Sequence, residues 1–376
     1  MLLNNIGEID IYHNQDLIFS NDGNNYLITH WLNTNHYFEL NGESAYYACY
    51  NDKDNLVNFQ DRIVDAIIRR MADGKGLIHK GFKGKYDIQL RSTSSAIRVL
   101  LDRRSDSNTS DCISRLANLH YKFYVETMTG IWFCHDSSEY FQDFPKSHLK
   151  IRRFGSKDKY STFTLNTHVD SLTTLLLLEK YKIRTDFDKK RYIQMGIRSL
   201  NFYLSLCLKK KTFVANSVEF IDSFFINKYA SAKGPSNLLR IWNTLMFKCI
   251  LPTPQFKNGF MARDLSVCNS HYDYHCTNIV DLLRLSYVYD NMINQMHDLK
   301  EQLNKNQLLQ AVENGISFVE STPSMKNYVI NDDLRFIWYS EMHYLYSFYS
   351  QDYLDIVTGL KGRKDLNLCF TPFVML

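Results

Sequence analysis

STFTLNTHVDSLTTLLLLEK, residues 161–180, is a polar first turn running into an almost unbroken apolar stretch. The run LTTLLLL leaves no polar stripe wide enough for a solvent face, so the spacing predicts a deeply packed helix over 164–182. Ser161 or Thr162 can cap it. Asn166 and Asp170 stand at i, i+4 and share one face; Thr167 and Ser171 form a second such pair, and His168 points elsewhere. Polar groups on the first turn of a buried helix must face partners, water or a cavity. His168 and Asp170 are too few ligands for zinc, so no metal is expected.

The format recurs. CNSHYDYHCTNIVDLLRLSYVYDN, residues 268–291, sets His271, Tyr272, Asp273, Tyr274, His275, Thr277 and Asn278 ahead of Ile279, Leu282, Leu283 and Leu285. His271 and His275 have the helical spacing of a zinc pair, but Tyr stands where HExxH has Glu. A third polar cluster, His135, Asp136, Glu139 and Tyr140, follows Trp132 and Phe133 in IWFCHDSSEYF, residues 131–141. Acid, base and aromatic groups in one loop suit half of an active site. RFIWYSEMHYLYSFYS, residues 335–350, carries Glu341, His343 and Tyr344 among aromatics and reads as a buried aromatic helix or a further inner helix.

Working outward, the period predicts helices over 91–104, 109–128, 189–208, 235–249, 274–292, 304–319 and 334–350, with another between Leu56 and Met71. Ser110 or Asp111 is expected to cap the second of these, and the stretch 209–234 reads as strand or helix. Only six prolines interrupt the chain. Residues 1–52 differ: Ile9–Ile11, Leu17–Phe19 and Tyr26–Trp31 are short β-type runs around an Asn21-Asp22-Gly23 turn. The Gly/Lys segment GKGLIHKGFKGKYD, residues 74–87, lacks P-loop spacing and suits an anion contact or a flexible hairpin. No repeat of a known solenoid and no sustained heptad occurs. The expected organisation is a small β-containing element over 1–52 and a mainly α domain over 53–376. The helix pattern leaves a globular bundle, an irregular solenoid or an α/α toroid; the toroid, incomplete or a six-hairpin barrel with polar inner-helix starts facing one cavity, best fits the long loops with polar and aromatic residues at helix starts.

Composition narrows the function. The 376 residues are 45% hydrophobic and 22% charged, an ordinary soluble balance. A net charge of +4 is too mild for a nucleic-acid binder and does not oppose an anionic polysaccharide or oligosaccharide. None of the eight cysteines forms a CxxC pair, which argues against a zinc ribbon and for a reducing compartment. The amino-terminal stretch lacks signal-peptide features, and no run reaches the ~18 apolar residues of a membrane span. A cytoplasmic protein without cofactor is expected.

Three motifs carry a family resemblance. Ser161, Phe163, Leu165 and Asn166 match a Ser-x-Phe-x-Leu-Asn inner-helix start. His135-Asp136 followed by Glu139-Tyr140, and Asp273-Tyr274-His275 followed by Thr277-Asn278, complete the set in the same order. In these segments the chain resembles the C-terminal toroid domain of D-glucuronyl C5-epimerases, over roughly residues 90–295. The resemblance implies catalytic roles for Glu139, Tyr140 and Tyr274. Substrate contacts are expected from His135, Asp136, Asn166, His168, Asp170, Arg263, Tyr272, His275 and Asn278. The implied reaction removes and returns the proton at C5 of a uronate, with cations such as Arg152, Arg153 or Arg263 stabilising the enolate-like intermediate. A further family Tyr ahead of Asp-Tyr-His has no counterpart in FKNGFMARDLS, residues 256–266; Tyr272, beyond that stretch, is the nearest. A polysaccharide lyase would share the intermediate. A glycoside hydrolase would need two carboxylates, Glu139 with Asp170 or Asp273. The reading from another class is a non-catalytic glycan-binding protein of a cell-surface polysaccharide pathway.

Overall fold

The computed structural model describes residues 78–80, 86–141, 163–208, 259–261, 273–292, 299–330 and 333–350, with Asp61, Val64, Asp65, Ile67 and Ile68 of a preceding helix. The β element expected over 1–52, the helix expected over 235–249, the ambiguous stretch 209–234, and Arg152, Arg153, Arg263 and Tyr272 lie outside these residues.

The described chain is mainly helical. Its helices are α1 (Leu90–Asp102), α2 (Ser107–His120), α3 (Ser137–Tyr140), α4 (Leu165–Lys180), α5 (Lys189–Leu208), α6 (Asp273–Met292), α7 (Lys305–Ser321), α8 (Pro323–Ile330) and α9 (Asp333–Tyr346). Two antiparallel strand pairs accompany them. β1 (Ile78–Lys80) pairs with β2 (Tyr86–Ile88), setting Ile78 opposite Ile88. β3 (Tyr124–Glu126) pairs with β4 (Ile131–Phe133), setting Tyr124 opposite Phe133. The described parts of the Gly/Lys segment, 78–80 and 86–87, thus lie in paired strands, and the rest of it lies outside the described residues.

Three expectations need correction. The buried helix α4 has Thr164 at its cap position, with no side-chain cap bond, in place of Ser161 or Thr162. The helix expected over 109–128 ends at His120, and residues 124–126 form β3. Tyr124-Val125-Glu126 alternates half-buried, buried and exposed, and Thr127 closes the turn by accepting the Gly130 amide on its hydroxyl at 2.9 Å. That helix also starts earlier than expected. Its cap is Asp106, whose carboxylate accepts the Thr109 amide at 2.8 Å, not Ser110 or Asp111. α8 was not foreseen; it follows Thr322 with Pro323 at its first position, where a missing N–H costs nothing.

α1, α4, α6 and α9 form a central row, α4 packing on α1 and α6, and α6 on α9. α1 is buried from Leu90 to Leu101 and α4 from Leu165 to Leu178. α2, α5 and α7 cover α1, α4 and α6 respectively. α7 shows the covering pattern: Leu308, Ala311, Val312, Gly315, Ile316 and Val319 face inward at helical spacing. The α4–α5 turn is tied by Lys189, whose ammonium donates to the Ile183 carbonyl at 2.7 Å and pairs with Glu179.

The central row is laced by buried ion pairs. Arg91 of α1 grips Asp281 of α6 through both terminal nitrogens, at 2.6 and 3.3 Å. Arg98 of α1 meets Asp170 of α4 at 2.8 Å and donates to Thr174 at 2.7 Å. Arg284 of α6 donates to Glu341 of α9 at 2.5 and 3.0 Å. Charges so deeply buried persist only when paired and hydrogen-bonded.

Candidate site at the starts of the central helices

β4 carries the chain into the first cluster. Ile131, Trp132, Phe133 and Cys134 are buried, and β4 packs on α4 and α5. His135 and Asp136 follow half-buried. Asp136 caps α3, its carboxylate accepting the Glu139 amide at 2.7 Å. Glu139 reaches back and accepts the His135 amide on Oε2 at 2.5 Å. This is a capping-box variant, with the return bond one residue ahead of the cap. It draws Glu139 down to 2% exposure. The His135 carbonyl accepts the Leu90 amide, so the same loop anchors the start of α1.

The first cluster meets α4 where His135 Nδ1 lies 3.1 Å from Thr167 Oγ1. His135, Asp136, Glu139 and Thr167 are thus brought together, with Asn166 adjacent on the same turn. Asn166 is buried and its Oδ1 accepts the Thr167 amide at 2.9 Å. The approach to that turn is strained. Phe163 adopts φ 51°, a left-handed conformation that bulky residues rarely take. Its ring packs on Trp132 at 5.7 Å and Tyr203 at 5.6 Å, which holds it there. Tyr140 is half-buried, edge-on to Phe123 at 5.4 Å, beside an exposed Phe141.

His168, expected at the substrate, is wholly buried with both ring nitrogens on backbone groups. The Phe133 amide donates to Nδ1 at 3.2 Å, and Nε2 donates to the Gly196 carbonyl in α5 at 3.2 Å. Trp132 stacks on the ring at 3.9 Å. His275 is held the same way on the first turn of α6. The Met261 amide donates to Nδ1 at 2.9 Å, Nε2 donates to the Gly315 carbonyl in α7 at 3.0 Å, and Phe260 stacks on the ring at 5.4 Å. Burial pushes the His168 imidazole down to about 3 and that of His275 to about 4, so both are neutral at physiological pH. These contacts explain both histidines without a ligand.

Asp170 also has a partner in the fold. It pairs with Arg98 through Oδ1, while Oδ2 is buried with no hydrogen-bond partner. Asn278 is fully buried one turn beyond Tyr274, and Tyr274 itself is half-buried. α4 and α6, which carry these first turns, pack directly on one another. Among the described residues no group of three or more His, Cys, Asp or Glu could hold a metal, and no helix is long and apolar enough to cross a membrane.

Sequence reasoning missed Thr167 as the group joining two clusters, and it missed the glycines under the two histidines. A signal existed: Met195-Gly196-Ile197 and Asn314-Gly315-Ile316 each put glycine inside a helix, where it costs about 1 kcal/mol against alanine and marks close packing.

With the site in view, comparison with known proteins adds no assignment: no family model, curated protein or solved structure matches the chain.

Proposed function

We propose that the protein modifies an anionic polysaccharide, most nearly as a uronate C5-epimerase on an α/α-toroid scaffold, with Glu139, Tyr140 and Tyr274 as the reacting groups. The observation that carries this reading is the contact of His135 with Thr167. It joins the His-Asp/Glu-Tyr cluster to the start of α4, two of the three motifs on which the resemblance rests. A row of buried helices, three of them with a covering helix, is compatible with the inner and outer layers of a toroid.

The chemistry needs a base on one face of the sugar and an acid on the other, because C5 carries a weakly acidic proton α to the carboxylate. A half-buried tyrosine such as Tyr274 can exchange a proton with substrate while its ring stays packed. Tyr274→Phe is expected to abolish proton transfer at C5 while leaving helical circular dichroism unchanged. Full activity in that variant would exclude Tyr274 from the chemistry.

One observation favours a second reading, glycan binding without chemistry. The Glu139 carboxylate is 2% exposed and holds the His135 amide, so proton transfer through Glu139 requires that bond to open. Retained binding of a heparosan-type oligosaccharide with no C5 exchange would select it.

A further inference from the structure

We infer that α4–α5 and α6–α7 are two copies of one helical-hairpin unit, and that His168 and His275 are its repeated positioning residues, fixing the first turns that carry Thr167 and Tyr274. The functional weight of the inference rests on the reading above; the geometry of the staple does not.

The correspondence extends well beyond two histidines. In each copy the aromatic residue stacked on the imidazole immediately precedes the residue whose amide donates to Nδ1: Trp132 before Phe133, and Phe260 before Met261. In each, Nε2 donates to the carbonyl of a glycine inside the covering helix, Gly196 or Gly315. The residue four beyond each histidine lies over that glycine. A Cβ there would stand 2.6 Å from Leu172 Cδ2 in one copy and 2.8 Å from Ile279 Cδ1 in the other. A second glycine lies just ahead of each aromatic, Gly130 two residues before Trp132 and Gly259 immediately before Phe260. A Cβ on it would fall 2.0 Å from the Met195 carbonyl oxygen or 2.1 Å from that of Asn314, the residues just ahead of the helical glycines. Histidine, aromatic, amide donor, two glycines and an aliphatic residue recur in matching roles, although the connecting segments differ in length.

The physical consequence is a fixed tautomer and a fixed helix start. Each ring must be neutral, accept at Nδ1 and donate at Nε2, so it bridges an extended segment, a central helix and a covering helix at one point. Thr167 and Tyr274 immediately precede the two histidines and therefore occupy equivalent places in the two copies. A ring that moved would move them with it.

Two measurements test this on the full chain. Long-range proton–nitrogen correlation spectra of histidine-labelled protein should show two rings in the Nε2–H form with shifts constant from about pH 5 to pH 8, assigned by loss in His168→Gln and His275→Gln. Titration of either ring in that range, or the Nδ1–H form, would overturn the staple. Amide hydrogen exchange reads the positioning. His275→Ala should speed exchange at the Met261 amide, which loses its acceptor, and at Thr277 and Asn278, the first amides bonded within α6, at least tenfold with the last two turns of α6 unchanged, and His275→Gln, whose amide both accepts and donates, should restore most of the protection. Uniform acceleration throughout α6, or no difference between Ala and Gln, would overturn the positioning role. Neither measurement depends on a reaction. An unaltered chain with no C5 exchange would remove the proposed function and leave both results standing.

Discussion

At the residue scale the glycines divide into two kinds. Gly259 has φ +96°, and a Cβ there would sit 2.1 Å from a backbone oxygen that cannot swing aside. A Cβ at Gly196 comes closer than 3 Å only to the tip of Leu172, the far end of a side chain, with the His168 ring at an ordinary 3.6 Å. Gly259→Ala is therefore expected to destabilise by about 3 kcal/mol or more, and Gly196→Ala by about 1 kcal/mol or less, in urea unfolding. Equal effects would mean that the close approach at Gly259 does not limit the fold. Glu320 gives a pH test. Burial raises its pKa, but the His343 imidazole, Lys326 ammonium and Tyr339 hydroxyl outweigh this and hold it near 2. A carboxylate depressed in the folded state stabilises above its unfolded value near 4.5, and that stability is lost as pH falls towards 2. Glu320→Gln should cost about 1–2 kcal/mol at neutral pH, after allowance for partial exposure, and progressively less below pH 4.5. A difference independent of pH would overturn the assignment.

At the element scale, α4 ends in a Schellman arrangement. The Ile183 amide donates to the Leu178 carbonyl and the Lys182 amide to that of Glu179, each at 3.0 Å, with Lys182 at φ 53°. Lysine carries a steric cost in that conformation which glycine avoids. Lys182→Gly should raise stability by about 0.5–1 kcal/mol, read as a higher urea midpoint with unchanged slope. Destabilisation would mean that the lysine side chain contributes more than its backbone costs. The same helix shows what sequence reading captures. The apolar run after Asp170 makes α4 legible, and α6 is legible for the same reason. β3 and β4 are not, because KFYVETMTGIWF continues an apolar period while its alternation lasts only three residues per strand. Such short strands form because β4 packs on α4 and α5, a tertiary effect that local propensity does not carry.

At the scale of the whole molecule, the central row depends on partners far apart in sequence. Arg91 and Asp281 are 190 positions apart, and Arg98 and Thr174 are 76 apart. No local pattern marks Arg91 or Arg98 as buried, so the charged seam was not legible. The polar helix starts were legible as groups needing partners, but which group held which was not. Removing Arg98 alone strands the Asp170 carboxylate, whose Oδ2 already lacks a partner. Arg98→Ala should cost about 3–5 kcal/mol, and Arg98→Met with Asp170→Leu should recover much of that loss. A cost below about 1 kcal/mol for the single change would show that water replaces the arginine.

The proposed function is a property of the whole molecule as well, since it needs the Glu139-Tyr140 cluster of α3 together with the first turn of α6. It is decided most directly by incubating the full chain with a heparosan-type polymer in deuterium oxide and following the uronate H5 resonance. Proton abstraction at C5 replaces that hydrogen with deuterium, so the H5 signal should fade with time and persist in the Tyr274→Phe protein. An H5 signal unchanged by the unaltered protein, with oligosaccharide binding intact, would leave a glycan-binding protein and remove the epimerase.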